Sequence, residues 1–140
     1  MINYIKKTSD YKLYISEDNS VIIKDNTIQY VFNFLLKNYL TNLSSRETIT
    51  KRQFKYKSKV PIYVDQENLY ICVKSYRLEN SFYINYHSII SYEIINNYVI
   101  INFRSNHSMK MHSKYTFLNQ IEKCIEIIKY TEKMKLFSLC

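Results

Sequence analysis

The chain has 140 residues, a formal net charge of +8, and 46% hydrophobic against 23% charged residues. That length fits a single domain (1–140) able to bury its own core, and the balance is that of a globular chain, not a disordered one. It holds no glycine, which excludes a P-loop or a Rossmann turn, because both need backbone amides that approach phosphate with no Cβ in the way. Asparagine and aspartate, which tolerate left-handed backbone, are expected to make the turns, as at Asp18-Asn19 and Asn96-Asn97. Cys72, Cys124 and Cys140 are odd in number, far apart and form no CxxC pair, so a reducing compartment is expected, with Cys72 and Cys124 as small core residues. The opening MINYIKKTSD has no apolar signal-like core, and no run approaches the roughly 20 apolar residues that span a bilayer. A cytoplasmic protein without membrane association is expected.

In chain order, residues 11–15 (YKLYI) and 20–24 (SVIIK) read as two short strands about a Glu17-Asp18-Asn19 turn. Ile28, Val31, Phe32, Leu35, Leu36, Tyr39 and Leu43 then recur at spacings of three and four. With Asn26 or Thr27 as N-cap they predict a helix from about 28 to 42, ending near Ser44-Ser45. Tyr30, Phe34 and Leu40 fall off the stripe, so the segment reads as a largely buried helix, with a strand as the competing reading.

The densest positive charge follows. Between Arg46 and Lys59 six bases (Arg46, Lys51, Arg52, Lys55, Lys57 and Lys59) stand against one acid, Glu47. Ile, Asn, Lys and Tyr, all with AT-rich codons, crowd the whole chain, so the clustering of charge is better evidence than its total. Phe54 and Tyr56 alternate with Lys55, Lys57 and Lys59, the period-2 pattern of a half-buried strand. Such a strand would hold ammonium groups about 6.5–7 Å apart, suited to a polyanion. The same lysines also suit a solvated face or a protected sheet edge. Tyr56 shares that segment with three lysines and is the one tyrosine singled out for contact with a ligand; the others alternate with Ile and Val as sheet residues do.

After Pro61 the texture is β. Residues 62–64, 68–73, 82–86, 89–94, 98–103 and 108–112 are short β-branched and aromatic runs at a spacing that fits an antiparallel meander, with a hairpin at Asn96-Asn97. A last helix is predicted from Thr116 as N-cap to about Lys135. Phe117, Ile121, Cys124, Ile125 and Ile128 form its inner face, Lys123, Glu126, Lys129 and Lys133 lie away from it, and Glu126 is placed to face Lys123 and Lys129. The tail MKLFSLC is apolar enough to dock or to dimerise. The fold class is α+β: a mainly antiparallel sheet, as a meander or barrel-like roll, with one internal helix and a long C-terminal helix.

No catalytic constellation is visible. His87, His107 and His112 match no zinc spacing, Asp65 and Glu67 read as a loop cap, and Cys72 and Cys124 sit in apolar runs that raise a thiol's pKa. No enzyme activity, metal or cofactor is expected.

The basic run, then Pro61-Ile62-Tyr63-Val64-Asp65 with Asn68 three residues on and a β run after it, resembles the competence transcription factor (ComK) family. The run from Thr27 to Arg46 lies where that family has a helical stretch ending in an arginine. Ser81-Phe82-Tyr83-Ile84 stands where it shows a Cys-Gly-Trp-Ile type of motif. Residues 101–111 and 114–124 resemble its last hairpin and the start of its terminal helix. The resemblance covers about 11 to 130. It implies a cytoplasmic, DNA-binding regulator of genetic competence in a Gram-positive bacterium, binding AT-rich boxes largely through the minor groove as assemblies of dimers and bending the DNA. Double-stranded AT-rich DNA, a second copy and a longer family paralogue are the implied partners. Arg46 and Arg52 would enter the groove, which is narrow and strongly negative in A·T tracts, with Lys51, Lys55, Lys57 and Lys59 on phosphates.

Two departures from the family pattern bear on that reading. Longer members carry a further C-terminal stretch linked to self-assembly and adaptor-mediated proteolysis, whereas this sequence stops at Cys140, so weaker dimerisation or escape from that control is expected. A Gly-containing loop and a Trp are replaced by Asn42-Leu43-Ser44-Ser45 and Tyr83, and altered DNA binding is expected if those positions shape the DNA surface. A strand meander closed by a helix also describes pleckstrin-homology-like modules. In such a module the same bases, joined by Lys74 and Arg77, would bind an anionic lipid or an acidic protein partner.

Overall fold

The computed structural model describes residues 1–138, with side chains to residue 135. Nine strands make two antiparallel sheets. The larger holds β1 (Ile2–Lys7), β2 (Leu13–Glu17), β3 (Ser20–Lys24), β4 (Ile62–Asp65), β5 (Asn68–Lys74) and β6 (Phe82–Asn85), in the order β3-β2-β1-β6-β5-β4. The smaller is a meander of β7 (Ile89–Ile95), β8 (Tyr98–Phe103) and β9 (Ser108–Met111). The helices are α1 (Ile28–Leu36), α2 (Leu43–Phe54) and α3 (Lys114–Ser138). The α+β class is as the sequence indicates, and neither sheet closes into a barrel. The strands are not one meander, however: β1, which shows no clean apolar alternation, is central and pairs with both β2 and β6.

The centre of the large sheet, at β5 and β6, is covered on both faces. Ile5, Leu13, Ile15, Ile62, Val64, Tyr70, Cys72 and Tyr83 face α1 and α2 and pack on Ile28, Val31, Phe32, Leu36 and Leu43. Residues of opposite parity, Leu69, Ile71 and Ile84, face the smaller sheet and α3, packing with Val99, Ile101, Phe103, Phe117, Cys124 and Ile127. A strand buried on both sides needs apolar side chains at consecutive positions, which is why β5 and β6 read NLYICVK and FYIN. The Phe32 ring stands edge-on to Tyr70 and Tyr83, with centroids 5.1 and 5.0 Å away, and fixes α1 to the sheet.

Thr27 caps α1, its Oγ1 accepting from the Tyr30 amide at 3.1 Å. The predicted helix over 28–42 is corrected: α1 ends at Leu36, a 3-10 turn covers Lys37–Tyr39, and Leu40 is left-handed at φ 58°. Ser44-Ser45, read as the end of that helix, open α2 instead. Asn42 starts α2 by accepting from the Ser45 amide at 2.9 Å, and Asn33 accepts from the Leu43 amide at 2.7 Å. In α3 the capping side chain is Ser113, which accepts from the Thr116 amide at 3.3 Å, so the predicted Thr116 cap lies inside the first turn. Ile127 takes the buried place expected of Ile125, which is exposed. Asp18, Asn80, Asn96 and Asn106 supply left-handed turns, as a chain without glycine requires, but Tyr11, Leu40, Lys55 and Lys59 do so too. Residues 139 and 140 of the apolar tail, Cys140 included, lie outside the described residues.

One polar side chain ties the layers together. Gln120 of α3 is buried, its Oε1 accepts from the Cys72 amide of β5 at 2.9 Å, and its Nε2 donates to the Lys59 carbonyl at 2.6 Å. Gln120→Leu takes the side-chain acceptor from the Cys72 amide and leaves the Lys59 carbonyl with only the Lys123 ammonium at 3.3 Å, and should lower stability by about 1–3 kcal/mol in urea denaturation with an unchanged m-value. The Tyr70 hydroxyl, in contrast, is buried with no partner among the described residues. Tyr70→Phe should therefore be neutral or stabilising, by up to about 1 kcal/mol, in the same measurement.

Candidate nucleic-acid interface

The segment from Arg46 to Lys59 is a helix followed by a strap, not the strand that its alternation suggests. α2 turns Leu43, Glu47 and Thr50 inward, spaced four and three residues apart. After Phe54 the chain enters the left-handed region at Lys55 (φ 59°) and again at Lys59 (φ 47°), which breaks any strand register. The in-and-out alternation of Phe54, Tyr56 and the lysines survives in their exposure, but no strand pairs with this stretch. Asn42 as a cap before Leu43, Glu47, Thr50 and Phe54 was the readable sign of α2. Two of those four are polar, so a search for apolar periodicity passes over them.

Glu47, the segment's one acid, points inward and is only 5% exposed. It accepts from Arg77 Nη2 at 2.7 Å and from the Tyr76 hydroxyl at 3.3 Å. That hydrogen bond raises the already high pKa of Arg77, and the Arg77 guanidinium also lies 4.4 Å from the Tyr76 ring centre. Arg77, a candidate for anionic ligands in the alternative reading, is thus engaged within the fold. With Glu47 turned in, no acid of residues 43–60 opposes the outward bases.

Those bases do not share one face. At about 100° per residue, Arg52 points opposite the buried side of α2, while Arg46 and Lys51 lie on opposite flanks. Arg46 is half-buried with its Cζ 5.4 Å from the Tyr63 ring centre, and burial lowers its pKa from the usual arginine value. Beside it is the β4–β5 turn, where the Asp65 carboxylate accepts from the Tyr39 hydroxyl at 2.7 Å, the Glu67 amide at 2.9 Å and Asn68 Nδ2 at 3.0 Å. Burial opposes ionisation of Asp65, but these bonds outweigh it and hold the carboxyl below its ordinary range. The loop-cap reading of Asp65 is met. Lys51 and Arg52 end α2, where cations offset the helix dipole.

Lys55, Lys57 and Lys59 are exposed on the strap, which is fastened to α3. The Tyr56 hydroxyl donates to Glu126 Oε1 at 2.8 Å, and Lys123 Nζ donates to the Ser58 and Lys59 carbonyls at 2.9 and 3.3 Å. Lys59 Nζ donates to Thr116 Oγ1 at 3.2 Å. Tyr56 stacks on Phe54 at 5.4 Å, and the Lys123 ammonium lies 4.9 Å from its ring centre. Burial, then the bond to Glu126, pushes the Tyr56 hydroxyl far above its ordinary pKa. Tyr56 is therefore a packing residue, not a ring offered to a base. Lys123, assigned from its helical position to solvent, joins the strap instead, through backbone carbonyls that no local spacing reveals.

Elsewhere, no group of three or more His, Cys, Asp or Glu among the described residues is arranged to hold a metal ion. Cys72 and Cys124 are buried free thiols, and burial raises both pKa values, that of Cys72 to about 11. Tyr83, the residue at the family's Trp position, is fully buried against Phe32 and shapes the core, not a DNA surface. No described helix is long and apolar enough to cross a membrane.

No curated protein and no solved structure matches the chain. The family model described as "ComK protein" matches residues 1–135, which takes in both sheets, the basic segment and all but the end of α3. The chain belongs to the ComK family of competence transcription factors.

Proposed function

We infer that the chain acts in the cytoplasm as a regulator that binds double-stranded DNA, preferring AT-rich boxes through the minor groove. The observation that carries this reading is the inward turn of Glu47, which leaves Arg52, Lys55, Lys57 and Lys59 pointing outward unopposed, with Lys51 on the flank of α2 and Lys123 beside the strap. A run of cations on a helix end and a strap fastened at both ends suits a phosphate backbone, because little ordering remains to be done on binding. Arg52, the most outward of the bases on α2, is the residue to enter the groove. Arg46 stands at the rim over Tyr63, and the four lysines contact phosphates. The regulator works as a homo-oligomer, a dimer at least, and can pair with a longer paralogue of its family.

Fluorescence anisotropy with a two-box AT duplex and a GC duplex of equal length tests this. Over about 50–200 mM salt, log K should fall with a slope of roughly −4 to −5 if most of the six bases engage, with tighter binding to the AT duplex. Weak, salt-independent binding without preference would overturn the reading. Lys57→Ala should weaken both duplexes alike, whereas Arg52→Ala should also narrow the gap between them. Identical specificity profiles in the two variants would refute the division of roles.

A further inference from the structure

The four free sheet edges are not alike. Beside β4 lies α2, β7 carries Glu93 in mid-strand, and β9 carries Lys110. Charge of this kind discourages edge-to-edge pairing. β3 pairs only with β2, and its middle is Val21, Ile22 and Ile23, exposed by 48%, 38% and 56%. Its one charge, Lys24, is at the end of the strand.

The face beside β3 is apolar as well. Exposed Tyr30 and Phe34 of α1 stand next to Ile22, Ile15 and Leu35 around a groove of about 320 Å³. The charged side chains that line it, Glu17 and Lys24, cancel. In a chain of +8 this is a neutral surface, and it lies at the opposite edge of the sheet from β4 and the basic segment.

We propose that β3 is the surface through which two copies of this chain associate, their β3 strands pairing antiparallel about a twofold axis at Ile22. The proposal rests on the dimeric reading above and names its interface. An antiparallel pair is self-complementary: Ile22 meets its own counterpart, Val21 lies opposite the partner's Ile23, and Ser20 lies opposite the partner's Lys24, so no like charges face each other. The axis is normal to the sheet, which keeps α1 of both copies on one face and brings Tyr30 and Phe34 together over the new strand pair. The open amides and carbonyls of β3 are satisfied and its apolar side chains leave water. The two basic segments are held at the far ends of the merged sheet, on the order of 50 Å apart by strand spacing, so their mutual repulsion is small.

The test is the molar mass in solution of the full chain, by light scattering over about 1–100 µM. The wild type should be a dimer whose melting temperature rises with concentration, and Ile22→Lys a monomer with unchanged circular dichroism and a melting temperature independent of concentration. Phe34→Glu, off the strand, should weaken association roughly tenfold or more. Ile94→Lys on β7 should change nothing. A wild type that stays monomeric, a dimer that survives Ile22→Lys and Phe34→Glu, or one that dissolves in Ile94→Lys overturns the proposal. Binding of each variant to a one-box AT duplex is measured alongside, so that failure of the interface and failure of the DNA reading are told apart.

Discussion

A sheet covered on both faces at its centre arranges the rest of this chain. β5 and β6 carry apolar side chains of both parities, so two separate cores form, one under α1 and α2 and the other under the small sheet and α3. With both faces occupied at β5 and β6, the charged segment has no face to lie on at this end of the sheet and passes around the β4 rim. Leu43 belongs to the first core, whereas Phe54 and Tyr56 pack against the second. Gln120 fixes the end of that passage by holding the Lys59 carbonyl and the Cys72 amide at once. The basic strap is therefore part of the fold's architecture, and its exposure follows from where it crosses.

The positive charge of this strap stands unopposed because of what is removed from it. Glu47 satisfies Arg77 and Tyr76 inside the protein and leaves the outer surface of the segment without an acid. Tyr56 and Lys123 hold the loop down through the Glu126 carboxylate and two backbone carbonyls. The left-handed residues Lys55 and Lys59 mark the two ends of the strap. With no glycine in the chain, such positions cost about 1–2 kcal/mol each relative to ordinary backbone, and the hydrogen bonds around the Lys59 carbonyl help to offset that cost.

Strands whose apolar runs were continuous or bounded by Asn and Asp turns were legible in the sequence, and so was the Asn96-Asn97 hairpin, where Ile95 pairs with Tyr98. β1 was not, because its buried Asn3 reads as a surface residue; its Nδ2 donates to Ser16, Ser105 and the Asp18 carbonyl, partners up to 102 residues away. α2 was hidden for a related reason, since Glu47 and Thr50 occupy buried positions. The concentration of charge could be read directly. Its geometry could not, because alternating exposure in a strap looks the same as alternating exposure in a strand. Lys123 was invisible because it binds carbonyls more than sixty residues away.

The central claim, that the α2 end and the strap form the DNA-binding surface, is tested most directly by mapping amide chemical shifts as an AT-rich duplex is added. The account predicts the largest changes at residues 51–59 and around Lys123, with β3 and the β7–β8 hairpin little affected. Shifts concentrated on β7–β9 or on β3, with residues 51–59 silent, would contradict it.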